Sequence, residues 1–140
     1  MKLVGFNFTK ISVERMKGGL KDLQINSNIK IQEINAIESN FMQKNQSVVK
    51  IDFNYDIDYS PGIAKLELKG HVLLAMTKDQ AKELEKGWKK KNLADDYRVA
   101  IFNIILKKSN VKALELEEDL SLPFHLKFPT VKKPNKSKKE

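Results

Sequence analysis

The side chains that chemistry would need are few and scattered. The chain has two histidines and no cysteine, so disulfides, thiolate nucleophiles and a zinc–thiolate centre are excluded. His71 lies in "ELKGHVLLAM" and His125 in "LSLPFHLKFP", and neither has a second ligand or a nucleophile at motif spacing. His71 falls on the polar side of an alternating strand, the position of a solvated histidine. "DFNYDID" puts Asp52, Asn54, Asp56 and Asp58 on one strand face, with about 7 Å between successive members. An acid–base carboxylate pair or a calcium site needs a second element converging on such residues, and calcium usually a glycine-turned loop. A polar outer sheet face accounts for them without either. Gly18-Gly19 lacks the lysine and hydroxyl of a phosphate loop. Phe53, Tyr55 and Tyr59 share their face with Ile51 and Ile57, as in a core, whereas an RNA-stacking surface interleaves aromatics with basic residues. No catalytic residue, metal or cofactor is assigned, and the expectation is a protein that binds and is not an enzyme.

A length of 140 residues with 41% hydrophobic and 31% charged content describes one ordinary globular domain with a single core. "MKLVGFNF" has neither the apolar run nor the cleavage site of a signal peptide. The apolar stretch "VAIFNIIL" is far short of a membrane span. The expectation is a cytoplasmic protein without membrane insertion. The net charge is +8, and residues 131 to 140 contribute five lysines against one glutamate. A single domain over 1–130 and a disordered lysine-rich tail over 131–140 are expected. Residues 1–130 mix 21 basic with 17 acidic side chains, the balance of a solvated surface.

The elements that must carry these residues begin with "LVGFNFTKISVER". Val4, Phe6 and Phe8 share one parity while Ile11 and Val13 have the other, which predicts a bulge near Thr9-Lys10. "LQINSNIKIQEINAIE" repeats the signature: Ile25, Ile29 and Ile31 against Ile34 and Ala36. "SNFMQKNQ" reads as a polar loop exposing Phe41 and Met42. The strongest signal is "VKIDFNYDIDYSPGIAKLELKGHVLLAM", two alternating runs around Pro61-Gly62, a β-hairpin. A four-residue loop from Ser60 to Ile63 places Tyr59 opposite Ala64, Tyr55 by Leu68, Phe53 over Gly70 and Ile51 by Val72. Pro61-Gly62 has the residue order of a type II turn.

Thr77-Lys78-Asp79-Gln80 has capping-box spacing and opens a helix through Ala81, Leu84 and Trp88. Asn92 is the expected cap of a second helix, with Asp95 and Asp96 in its first turn. This helix carries Tyr97, Ile101, Ile104, Ile105 and Val111 on one side and Val99, Phe102, Leu106 and Ala113 on the other, more than one sheet can cover. Four acidic residues from Glu115 to Asp119 oppose the helix dipole at its C-terminal end, so a break near Ser109-Asn110 is expected. In "LSLPFHLKFP", Pro123 and Pro129 exclude a central strand and predict an extended apolar segment laid over other structure. Four strands followed by helices make an α+β fold, a four-stranded antiparallel sheet with C-terminal helices packed on one face.

The apolar surface exceeds what one small two-layer domain hides, which marks oligomer contacts or a binding groove. On the bulged strand "FNFTKISVER", the kinked second strand, the long hairpin, the helix at "LADDYRVAIFNIILKKS" and the segment "LSLPFHLKFP", the chain resembles the SecB protein-export chaperone family. The resemblance implies an ATP-independent holdase that keeps unfolded or pre-secretory polypeptides in apolar grooves. It also implies a homo-oligomer built as a dimer of dimers. The groove candidates are Phe41, Met42, Trp88, Leu122, Phe124 and Leu126; the oligomer candidates are Val99, Phe102 and Leu106. The family's C-terminal helix has no counterpart here, and the chain is basic where bacterial members are acidic, which argues against coupling to the SecA translocation motor. The alternatives are a basic nucleic-acid- or ribosome-binding module and a small-ligand enzyme with the sheet curled around a helix.

Overall fold

The computed structural model describes residues 1–16, 18–37 and 44–134. Phe41, Met42 and the tail from residue 135 onward lie outside the described residues. Four strands, β1 (Lys2–Arg15), β2 (Gln24–Ile37), β3 (Gln46–Ser60) and β4 (Ala64–Thr77), precede two helices, α1 (Lys78–Lys89) and α2 (Asp95–Asp119). The strands form one antiparallel sheet in the order β1-β4-β3-β2. The fold is therefore the expected α+β arrangement of four antiparallel strands and C-terminal helices.

The alternation in the sequence is realised in the register. Tyr59 pairs with Ala64, Tyr55 with Leu68, Phe53 with Gly70 and Ile51 with Val72. The expected bulge in β1 lies between Phe8 and Lys10, and the phase switch in β2 lies between Ile31 and Glu33. Each bulge reverses side-chain parity, so the apolar residues before and after it, Phe6 and Ile11 in β1 and Ile31 and Ile34 in β2, reach the same face. A further bulge between Leu3 and Gly5 was not announced by the sequence, because Val4 continued the alternation. The hairpin turn departs from type II: the Ser60–Pro61 peptide is cis and Gly62 has a φ of 59°. Gly70 is required where it stands, since a Cβ there would lie 2.3 Å from the Asn7 carbonyl and 3.0 Å from Phe53.

One sheet face and the helices enclose the core. Ile51, Phe53, Val72 and Leu74 pack with Leu84, Ile101 and Ile105, while Tyr55, Tyr59, Leu66 and Leu68 pack with Ala113 and Leu122. The buried positions of α2 are Ile101, Ile105, Ser109, Ala113 and Glu117, a ladder of every fourth residue along one ridge. Val111, grouped by the sequence with Ile101 and Ile105, is exposed, while Ala113 from the other set is buried. The four-residue ladder rotates slowly around a 3.6-residue helix and carries Ala113, not Val111, onto the sheet.

Two expectations for the helices are corrected. The N-cap of α2 is Ala94, with no side-chain cap bond, and not Asn92. Asn92 instead belongs to the reversal after α1, its N–H donating to the Gly87 carbonyl at 2.9 Å. The helix also runs unbroken through Ser109-Asn110 to Asp119. Arg15, at the end of β1, donates from Nη1 to the carbonyls of Leu120 and Ser121, each at 2.9 Å, giving the helix end the cation its own last turn lacks. Among the described residues no helix is long and apolar enough to cross a membrane.

Candidate functional site

Strand β2 forms one edge of the sheet, and the connection from α1 to α2 passes beside it. Thr77 and Gln80 close the capping box that starts α1. The helix ends because Lys91 adopts a φ of 56° and its N–H turns back to the Trp88 carbonyl at 3.0 Å. Gly87 permits this reversal, since a Cβ there would stand 3.1 Å from the Asn92 carbonyl. Leu93 then descends toward the sheet before α2 begins.

The result is an open groove of about 820 Å³ between β2, the end of α1 and the first turns of α2. Its apolar lining comes from Ile29, Ile31 and Ile34 of β2 and from Trp88, Leu93 and Phe102 opposite them. Lys30, Lys89, Lys91 and Arg98 stand at its rim with Glu33 and Asp95. Asp95 is bound by Arg98 at 2.8 Å, whereas Lys30, Lys89 and Lys91 make no ion pair among the described residues. Six apolar side chains interleaved with six charged residues and two asparagines, Asn35 and Asn92, make a site that can take apolar side chains carried on a polar chain.

A second constellation, unread in the sequence, lies at the other end of α2. Glu117 is fully buried and accepts from the Tyr59 hydroxyl. The His125 side chain, only 4% exposed, lies with Nδ1 2.8 Å from Glu117 Oε1. Its Nε2 lies 3.0 Å from the Tyr55 hydroxyl and 2.9 Å from Asn110 Oδ1. Tyr55 in turn donates to Asn110 at 2.6 Å, and the His125 backbone N–H donates to Glu117 Oε2 at 3.0 Å. Burial, reinforced by the Glu117 charge, holds the Tyr55 phenol well above the usual tyrosine range. Tyr59 is raised likewise by burial and by its bond to Glu117, so both phenols remain proton donors. Both ring nitrogens of His125 thus face protein partners. The cluster fastens the segment after α2 to the helix and the sheet.

The residues singled out in the sequence are thus distributed over several places. Trp88 and Phe102 meet in the groove. Leu122 is buried in the core beside Ala113, while Phe124 and Leu126 are exposed on the C-terminal segment. Val99 and Leu106 are 53% and 37% exposed on the outer side of α2. The groove's β2 wall escaped sequence reasoning because Ile29 and Ile31 alternate like any core residues, and alternation does not tell an edge strand from a central one. On the opposite sheet face Asp52 pairs across from His71, Asp56 from Glu67 and Asp58 from Lys65.

No family model matches the chain, and no curated protein matches it. Among solved structures it is similar to the SecB-like chaperone Rv1957 of Mycobacterium tuberculosis, in complex with a ChAD peptide from the HigA1 antitoxin Rv1956. The TM-score is 0.53 at 12% identity, over 96% of this chain and 92% of that one. Element order, sheet topology and this likeness together define a SecB-like fold.

Proposed function

We propose that this protein is an ATP-independent chaperone that keeps extended segments of unfolded polypeptides from aggregating. The observation that carries the reading is the groove against Trp88, open to solvent and walled by isoleucines. The SecB-like fold supports it, as does the peptide bound by the similar mycobacterial protein. Burying about 200 Å² of client apolar area at ~25 cal/mol per Å² contributes about 5 kcal/mol, before the entropy of association is subtracted. One groove therefore holds a client weakly, and several grooves on one particle multiply the affinity through effective concentration. The contact is apolar and open-ended, which favours many client sequences over one. The partners are unfolded clients and further copies of this chain.

At stoichiometric amounts the protein is expected to suppress light scattering from two unrelated denatured proteins on dilution, and Trp88→Ala to suppress it markedly less. Unchanged aggregation of both substrates in the presence of the native protein would overturn the proposal. A rival reading as a nucleic-acid module rests on Lys82, Lys86, Lys89 and Lys90, which line one shallow depression along α1. Salt-sensitive binding of mixed-sequence RNA would favour it. The strand aromatics Phe53, Tyr55 and Tyr59 are buried and provide no stacking platform for bases.

A further inference from the structure

The segment that follows α2 is packed inside out. The side chain of His125 is 4% exposed, whereas Phe124, Leu126 and Phe128 around it are exposed. Burial of apolar area alone would turn these residues inward and leave the imidazole in water. The polar contacts of His125 with Glu117, Asn110 and Tyr55 impose the opposite order. The chain bends at His125 and Leu126, and Phe124 and Phe128 meet edge-to-face with ring centroids 5.1 Å apart. A buried anchor thus holds an aromatic pair out to solvent. Apolar groups presented in this way mark a contact surface.

The charge beside the pair identifies the partner. Lys127 sits within the bend, and Lys132 and Lys133 follow it. All three are exposed, and none makes an ion pair among the described residues. Three more lysines follow in the sequence before Glu140. A second copy of this chain would bring these lysines against their own kind. RNA would use the lysines, but stacking needs open ring faces, and the exposed Leu126 and Val131 have none. A bilayer with anionic headgroups takes both kinds of group: apolar side chains enter the headgroup boundary while ammonium groups meet the anionic lipids. Glu118, which shares a surface depression with Phe124, confines the contact to the bend and the basic stretch beyond it.

We propose that this protein docks on anionic bilayer surfaces through the bend at Phe124–Phe128 and the lysines that follow it. One such signal alone holds a protein at a membrane only marginally, whereas two together anchor it. The contact places the chain on the bilayer, not across it. This reading is independent of the chaperone groove, which lies against the first turns of α2, the length of the helix away from the bend.

The test is co-sedimentation of the full chain with phosphatidylcholine vesicles, with and without about 30% phosphatidylglycerol. The protein is expected to bind the anionic vesicles about tenfold more tightly than the neutral ones and to be released from them by salt. The double variant Phe124→Ser, Phe128→Ser replaces exposed side chains and leaves the His125 anchor in place, so its far-ultraviolet circular dichroism should be native. It is expected to lose about tenfold in affinity for anionic vesicles. The double variant Lys132→Glu, Lys133→Glu should lose a similar factor at low salt. A parent protein that binds neither vesicle, or binds both equally, overturns the proposal. So does a phenylalanine variant that binds anionic vesicles as well as the parent. Tighter binding of mixed-sequence RNA than of anionic vesicles, weakened by the same phenylalanine variant, would assign the bend to nucleic acid instead and overturn membrane docking.

Discussion

Asp56 stands directly across the sheet from Glu67, and one of its carboxylate oxygens is buried without a partner among the described residues. Burial, with the Glu67 charge next in weight, raises its pKa above the usual aspartate value, while Lys10 holds Glu67 low. The folded state therefore grips the Asp56 proton more tightly than the unfolded chain does. The sign follows: this site favours folding most at acid pH and loses that contribution as pH rises through the ordinary carboxylate value toward the raised one. Asp56→Asn is expected to stabilise the protein at pH 7 by about 0.5 kcal/mol, the scale of a like-charge cross-strand pair. The difference should close in urea titrations below about pH 3.5, where both states are protonated; lower stability of the variant at pH 7 would contradict this account. Ser109 presents the complementary case, a fully buried hydroxyl facing the core with no hydrogen-bond partner among the described residues. Ser109→Ala removes an unsatisfied polar group and improves helix propensity, so a gain of about 1 kcal/mol is expected. A loss of that size would mean the hydroxyl is bonded after all.

At the scale of elements, the segment after α2 is held by the buried pair of Glu117 and His125 rather than by its own apolar residues, since Phe124, Leu126 and Phe128 are exposed. Glu117 and His125 share one buried hydrogen-bond network with Tyr55, Tyr59 and Asn110, and truncating either member leaves buried polar groups unsatisfied, at a cost of about 3 kcal/mol. Glu117→Ala is therefore expected to destabilise the chain by about that amount and to open residues 120–130 to limited proteolysis, with His125→Ala doing the same and the double variant costing less than the sum. Strict additivity would show that the two do not act together. This cluster also explains what the sequence did and did not disclose. Alternation made the hairpin register and the bulges beyond Phe8 and Ile31 legible, because a strand's two-residue period is written locally. The run from Glu115 to Asp119 argued for a helix break on local electrostatics, yet Arg15 from β1 and Tyr59 from β3, each more than fifty positions away, make those positions helical. Asn92 looked like a cap by residue type, but the Lys91 reversal turns it toward Gly87. The groove was half legible: Trp88 marked one wall, while its opposite wall depends on which strand ends the sheet, and strand order is a non-local property.

For the whole molecule, the proposed chaperone activity sets one weak groove against a client long enough to meet several. Val99 and Leu106 lie outside the core of their own chain on the outer side of α2, and Phe102 on the same helix turns into the groove. Helix–helix contact through Val99 and Leu106 would gather grooves into one particle without occupying them. The double variant Val99→Asp, Leu106→Asp tests that division of labour, because both side chains are exposed in the single chain and their replacement leaves its core unchanged. Sedimentation is expected to show a smaller particle with native far-ultraviolet circular dichroism. Short-peptide affinity, read at Trp88, should stay within about threefold, since each groove is complete within one chain. Suppression of aggregation should fall by tenfold or more at equal subunit concentration, because linked grooves raise avidity by factors of about 100 or more. If the variant keeps its native mass, the α2 face is not the contact. If it becomes smaller yet protects denatured substrates as well as the parent, holding is the work of single grooves, and the avidity argument falls with it.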